Sequence, residues 1–186
     1  MLRDGKIYLV MTIVSIILVG LFIYVASIDK KIQKLKMLIL DVDGVLTDGG
    51  MYVSEKGDQM KRYHTHDGLA LLELGKSKKL TLGILSSGFT EHMVHDRATL
   101  LGIEHVYVGR EPKLDILNTW CTELGYSLDE VAIIGDDLND LPVMQAVGLA
   151  VCPASAVSKV KSVADIILSR KGGDACVREF IDNYLQ

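Results

Sequence analysis

The sequence offers little from which to build a disulfide framework or a zinc site. Its only three cysteines, Cys121, Cys152 and Cys176, are an odd number, lie far apart and include no CxxC pair. They read as reduced thiols of a cytosolic fold. Lys and Arg number 20 against 24 Asp and Glu, and no stretch gathers the cations into a basic face. Nothing therefore favours nucleic acid as a partner, and a small anionic substrate would need a cation of its own. No internal repeat or low-complexity stretch is present, and 186 residues suit one domain with a full core rather than two.

Charge is also missing from Ile7 to Ile28, a run of 22 positions. At about 1.5 Å per residue such a helix measures roughly 33 Å, enough for a hydrocarbon core of about 30 Å. Lys30, Lys31, Lys34 and Lys36 follow the run, against Arg3 and Lys6 before it. The bias favours a globular part on the cytoplasmic face of the membrane. Residues 1–36 are thus expected to form an N-terminal membrane anchor with a basic linker, and 37–186 the globular domain. Three alternatives stay open: a cleaved signal peptide ending near Ala26 or Ser27, a wrongly assigned start (which would leave a cytoplasmic protein), and an apolar segment packed on the domain.

From Lys36 onward, short β-rich apolar runs alternate with amphipathic segments of helical length. This pattern predicts an α/β fold, a doubly wound, Rossmann-like parallel sheet with helices on both faces. Expected strands are Leu38 to Val42, Leu80 to Leu85, Val106 to Val108, Val131 to Ile134, Leu149 to Cys152 and Ile166 to Leu168. Helices are expected over Gly68 to Lys78, Thr90 to Leu101, Lys113 to Leu124, Asn139 to Val147, Ser155 to Val163 and Asp174 to Leu185. Met51 to Val53 and Gln59 to Tyr63 flank the turn-forming Glu55-Lys56-Gly57-Asp58, which predicts an inserted β-hairpin.

Ligands of open parallel sheets bind beyond the carboxyl ends of the strands, and four such ends carry chemistry-bearing residues. The first is Asp41-Val42-Asp43-Gly44-Val45-Leu46-Thr47, two carboxylates two residues apart before a glycine that lets the chain turn. The second, Ser86-Ser87-Gly88, offers a hydroxyl and backbone amides to a phosphate oxygen, although Ser87 could equally cap the next helix. At the third, Lys113 starts a helix, where the dipole disfavours a cation, so a bound phosphate or a solvated surface position would account for it. The fourth, Gly135-Asp136-Asp137-Leu138-Asn139-Asp140, adds three carboxylates. Beside Asp41 and Asp43 they would repel one another unless a divalent cation sat among them, and hard oxygen ligands favour Mg²⁺ over zinc.

In this order the four segments resemble the haloacid dehalogenase superfamily over about residues 37–186. The resemblance implies that Asp41 is the nucleophile and Asp43 the general acid and base, with Ser87 and Lys113 binding the phosphoryl group. It further implies that Mg²⁺ is held by Asp41, Asp136 and the backbone carbonyl of Asp43, with Asp137 and Asp140 supporting them. Ser87 comes only 44 positions after Asp43, too few for a large cap domain. Leu40 to Gly49, the hairpin, His66-Asp67-Gly68 and the tail Gly172-Gly173 with Val177-Arg178-Glu179 look like the 3-deoxy-manno-octulosonate 8-phosphate phosphatases. The nonulosonate 9-phosphate phosphatases share this layout.

The expected substrate is therefore a small phosphorylated sugar acid of lipopolysaccharide or capsule synthesis, with Thr47, Asp67, Gly88 and Phe89 contacting it. The expected assembly is a homotetramer joined through its hairpins. With a membrane anchor, its N-termini would have to face one plane, which a cyclic arrangement permits. Phe89 stands where arginine or glutamate is expected, and Asp174-Ala175 where a basic residue and glycine are usual. Arg62 and Arg110 are candidates for the missing charge. A rival of another class is a non-catalytic anchored scaffold. His64 and His66 lack a third ligand nearby for a metal. His92 and His95 read as surface or partner contacts, and Trp120 as core.

Overall fold

The structure, a computed structural model, describes residues 2–88 and 90–185. Its centre is a six-stranded parallel sheet in the order β5-β4-β1-β6-β7-β8. These strands are β1 (Met37–Leu40), β4 (Thr81–Ser86), β5 (His105–Val108), β6 (Val131–Ile134), β7 (Leu149–Cys152) and β8 (Ile166–Ile167). β1 and β6 pair residue for residue from Met37↔Val131 to Leu40↔Ile134, and all eight of these side chains are fully buried. Burial on both faces explains why these strands read as unbroken apolar runs rather than as alternating ones. The chain winds outward from β1 to β5, then returns to lay β6 on the other side of β1. The sheet therefore changes winding direction at the β1/β6 pair, where a crevice opens at the carboxyl edge.

The helices are α1 (Leu2–Gln33), α2 (Thr65–Ser77), α3 (Glu91–Leu101), α4 (Lys113–Leu124), α5 (Leu141–Ala146), α6 (Ser158–Lys161) and α7 (Cys176–Phe180). One face of the sheet packs Leu38, Leu40 and Ile134 against α2, α3, α7 and the end of α1. The other packs Ile39, Leu85 and Ile133 against α4 and α5, with Trp120 edge-on to His105 at 5.4 Å. The only insertion between β1 and α2 is the small hairpin of β2 (Tyr52–Val53) and β3 (Gln59–Met60).

Several expected boundaries shift. The Ser155 to Val163 helix shrinks to the four residues of α6, because Pro153 to Ser155 are taken up in a turn held by Ala156 N–H donating to Pro153 O. The last helix begins only at Cys176 and widens over Ile181 to Leu185, with Phe180 stacked on Tyr184.

Along α1, the side chains from Ile7 to Val25 lie open, Phe22 at 75 % exposure. The helix does not stop with the apolar run. It continues to Gln33, so Asp29 to Gln33 are helical rather than an extended linker. Ile28 and Leu35 are buried in the domain core, with Ile32 packed against it. Asp165 fastens this stretch: its carbonyl accepts from Tyr24 Oη (2.7 Å) and its carboxylate from Lys31 Nζ (2.6 Å) and Ala150 N–H (3.0 Å).

Candidate active site

Asp41 follows β1 directly, its N–H donating to Ile134 O, and the chain then turns tightly over Val42 to Leu46. The turn requires Gly44, which has φ +94° and would carry a Cβ 2.0 Å from Asp136 Oδ2. That proximity seats the β6 loop against the β1 loop. Gly172 in the tail closes onto the same turn, since a Cβ there would fall 1.7 Å from Gly44 O.

Lys113 is the first residue of α4, yet it is buried, at 4 % exposure. Its ammonium donates to Asp41 Oδ1 and to Asp140 Oδ1, both at 2.6 Å. The cation that looked misplaced at a helix start is therefore held by two buried carboxylates. Burial alone would lower its pKa, but Asp41 and Asp140 keep it above the ordinary lysine value. Asp140 has no exposure. Its other oxygen accepts from Asp136 N–H (2.9 Å) and Asp137 N–H (3.3 Å), so it braces the loop after β6. Asp137 caps the following turn through Leu138 N–H and lies exposed.

Asp41, Asp136 and Asp140 each offer an oxygen within 4.8 Å of the others. Asp136 Oδ1 is buried and has no hydrogen-bond partner among the described residues. Burial, then repulsion by Asp41, Asp140 and Asp137, pushes the Asp136 pKa up to about 8. Burial and Asp140 raise Asp41 to about 7 against the pull of Lys113. Three carboxylates at this spacing, with an orphaned oxygen on Asp136, concentrate the negative charge and hard oxygen donors that suit a divalent cation, Asp140 being itself engaged by Lys113 and two amides.

Asp43 is more open, with 41 % of its side chain exposed. Its Oδ1 is ion-paired with Lys61 and accepts weakly from Thr47 Oγ1 at 3.4 Å. Gly88 leaves room for Asp43 Oδ2, which would stand 3.1 Å from a Cβ there, and Gly88 N–H donates to Ser86 Oγ. Ser87 Oγ accepts from Asn139 Nδ2 at 3.1 Å, tying the β4 loop to the β6 loop. Asp41, Asp43, Ser87, Gly88, Lys113, Asp136, Asp137 and Asp140 are thus brought to one edge of the sheet.

Two of the expected substrate contacts, Thr47 and Asp67, are buried. Thr47 is 2 % exposed and donates to Val42 O, which shapes the turn. Asp67 is equally buried and accepts from Arg178 N–H at 2.7 Å, joining α2 to the start of α7. The fourth, Phe89, lies outside the described residues. His64 Nδ1 caps α2 through His66 N–H, and His92 pairs with the exposed Asp96. Arg62 is spent on Asp48.

Sequence reasoning missed Lys61. Its side chain is 12 % exposed although a hairpin carries it. No sequence signal singles it out: it is the structure's antiparallel bridge between Tyr63 and Thr47 that sets Lys61 beside the Asp43 turn. A cavity of about 310 Å³ opens there between the hairpin and α3, lined by Asp43, Tyr52, Lys61, Gly88, Thr90 and Met93.

Buried carboxylates gathered about a lysine at the switch point of a parallel sheet define a phosphohydrolase site, and the comparisons with known proteins agree. Residues 105–180 match the haloacid dehalogenase-like hydrolases, and residues 1–36 match the CcmD family proteins. The 3-deoxy-D-manno-octulosonate 8-phosphate phosphatase KdsC of Escherichia coli K12 is 36% identical over 157 residues, covering 84% of this chain and 82% of that protein. Among solved structures, a haloacid dehalogenase superfamily (subfamily III A) hydrolase from Legionella pneumophila superposes with a TM-score of 0.85 and 37% identity, covering 90% of this chain and 91% of that one. The Moraxella catarrhalis octulosonate 8-phosphate phosphatase, solved with magnesium, phosphate and KDO, gives 0.81 and 34%, covering 85% and 90%. The chain belongs to the haloacid dehalogenase-like hydrolase family and is a phosphoric monoester hydrolase.

Proposed function

We propose that the chain hydrolyses the phosphate monoester of a small sugar acid, 3-deoxy-D-manno-octulosonate 8-phosphate above others, with Mg²⁺ as cofactor. The observation that carries this reading is the Lys113 bridge between Asp41 and Asp140, next to a buried Asp136 oxygen without a partner. The names of the curated relatives supply the sugar acid. Asp41, Asp136 and the backbone carbonyl of Asp43 would hold the Mg²⁺. Bound there, it would supply positive charge that keeps the aspartates ionised and offsets charge on the phosphoryl group.

Lys113 engages Asp41 through Oδ1, which leaves Oδ2 to attack phosphorus. As the new O–P bond forms, the ester P–O bond breaks and Asp43 gives its proton to the leaving sugar oxygen. Asp43 then takes a proton from the water that attacks the aspartyl-phosphate, releasing phosphate and restoring Asp41. Such acid–base help is worth roughly 10²- to 10⁴-fold. Lys113, Ser87 Oγ and the amides of the Ser87-Gly88 loop stabilise the charge spread over the phosphoryl oxygens. With only a small hairpin over the site, water reaches the intermediate, which favours hydrolysis over phosphoryl transfer to another acceptor.

The exposed apolar stretch of α1 supports insertion in a membrane, and the basic residues after it support a cytoplasmic catalytic part. Met51, Val53 and Met60, all more than half exposed on the hairpin, support a hairpin-joined homotetramer. The test is a panel of phosphate esters assayed with the full-length protein in detergent with Mg²⁺. The reading requires octulosonate 8-phosphate to give the highest kcat/KM. Preference for nonulosonate 9-phosphates would reassign the sugar, and a folded, Mg²⁺-binding protein without turnover would point to a scaffold. Recovery in carbonate-washed membranes tests the anchor.

A further inference from the structure

We propose that Lys61 is the specificity-determining residue of this site, the cation that recognises the carboxylate of the leaving sugar acid. The inference rests on the phosphatase reading above and names what the cavity beside Asp43 selects. Lys113 does not line this cavity; it is buried between Asp41 and Asp140, on the phosphoryl side of the site. Arg62 points its guanidinium to Asp48, and more than half of its side chain is in solvent. Lys61 alone among these cations lines the 310 Å³ cavity, beside Asp43 and Gly88.

Three features make the cavity a receptor for the leaving group rather than a gap. It begins at Asp43, the residue that must protonate the departing oxygen, so a sugar bonded to that oxygen extends into it. Its wall combines Met93 and Tyr52, apolar and aromatic, with Lys61. Thr90 adds a hydroxyl-bearing side chain to the same lining. Charge balance points the same way. Five carboxylates (Asp41, Asp43, Asp136, Asp137, Asp140) surround two lysines, so a substrate bringing a further carboxylate as well as phosphate needs a cation with a donor to spare. An ammonium has three N–H donors, and Asp43 uses one. Lys61 can therefore keep Asp43 oriented while it turns another donor to the sugar carboxylate.

The test compares the full-length wild type with Lys61→Met and Lys61→Arg on two esters, octulosonate 8-phosphate and arabinose 5-phosphate, which has no carboxylate. Loosening Asp43 slows both esters. Loss of the recognising cation shows as a further drop for the sugar acid alone, so the ratio of kcat/KM for octulosonate 8-phosphate over arabinose 5-phosphate should fall at least tenfold in Lys61→Met, mostly through KM, and recover in Lys61→Arg. Calorimetric binding of free octulosonate, which requires no turnover, should weaken by a similar factor in Lys61→Met. Equal losses on both esters, or octulosonate binding that ignores Lys61, would overturn the proposal. Absence of turnover with Lys61-dependent octulosonate binding would remove the phosphatase reading and leave the recognition role standing.

Discussion

Replacing Lys113 with methionine should destabilise the metal-free protein far more than a typical surface change. Methionine fills similar space but leaves Asp41 (4 % exposed) and Asp140 (0 %) without a counter-charge. Breaking a buried pair in this way costs about 3–5 kcal/mol. For a chain of this size each kcal/mol is worth about 2–4 °C, so the midpoint should fall by about 6–20 °C at pH 8 without metal. The sign of the pH dependence follows from the two raised carboxyls. Asp41 at about 7 and Asp136 at about 8 bind protons more tightly when folded than at the unfolded value of 3.8. Their contribution is full below that value and is lost as pH rises through 7 and 8, so the metal-free wild type should be more stable at pH 5 than at pH 8. In Lys113→Met the orphaned aspartates can take protons at pH 5, which shrinks the deficit there, and Mg²⁺ should restore part of the loss at pH 8. Scanning calorimetry at both pH values, with EDTA or Mg²⁺, measures this. A loss under 2 °C at pH 8, or the same loss at both pH values, would refute the account of Lys113 as the keystone of a buried charge cluster.

Two further outcomes are expected. Gly44→Ala would force a Cβ within 2.0 Å of Asp136 Oδ2 at φ +94°. Beyond a strain of about 1–2 kcal/mol, it should displace that carboxylate and raise the Mg²⁺ concentration for half activity about tenfold or more. Unchanged Mg²⁺ titration would show that Asp136 is not a ligand. Deleting residues 1–36 removes the buried Ile28 and Leu35, each worth about 1.5–3 kcal/mol, whereas deleting 1–22 keeps them. The longer deletion should melt at least about 6 °C lower than the shorter, and equal midpoints would mean that the end of α1 does not brace the domain.

The parallel sheet was legible because strands buried on both faces must be apolar throughout, as Met37 to Leu40 and Val131 to Ile134 are. The strand-end aspartates were legible for a similar reason, since polar residues directly after such runs mark the carboxyl edge. What escaped was set by contacts distant in sequence. Asp67 looks free beside two histidines, yet its fate depends on Arg178 N–H, 111 positions away. Lys61 is one basic residue among several in the hairpin, and only the Tyr63–Thr47 bridge turns it toward Asp43. The docking of α1 was written in Tyr24, Ile28, Lys31 and Ile32, a stripe at helical spacing. The stronger apolar signal of the preceding run obscured it.

The claim beneath all of this is that Asp41 becomes phosphorylated. Asp43→Asn should slow breakdown of the intermediate, so acid quenching of that variant after mixing with Mg²⁺ and a ³²P-labelled substrate should recover label on the peptide containing Asp41, released by hydroxylamine. Label on another residue, or unlabelled protein alongside measurable phosphate release, would contradict it.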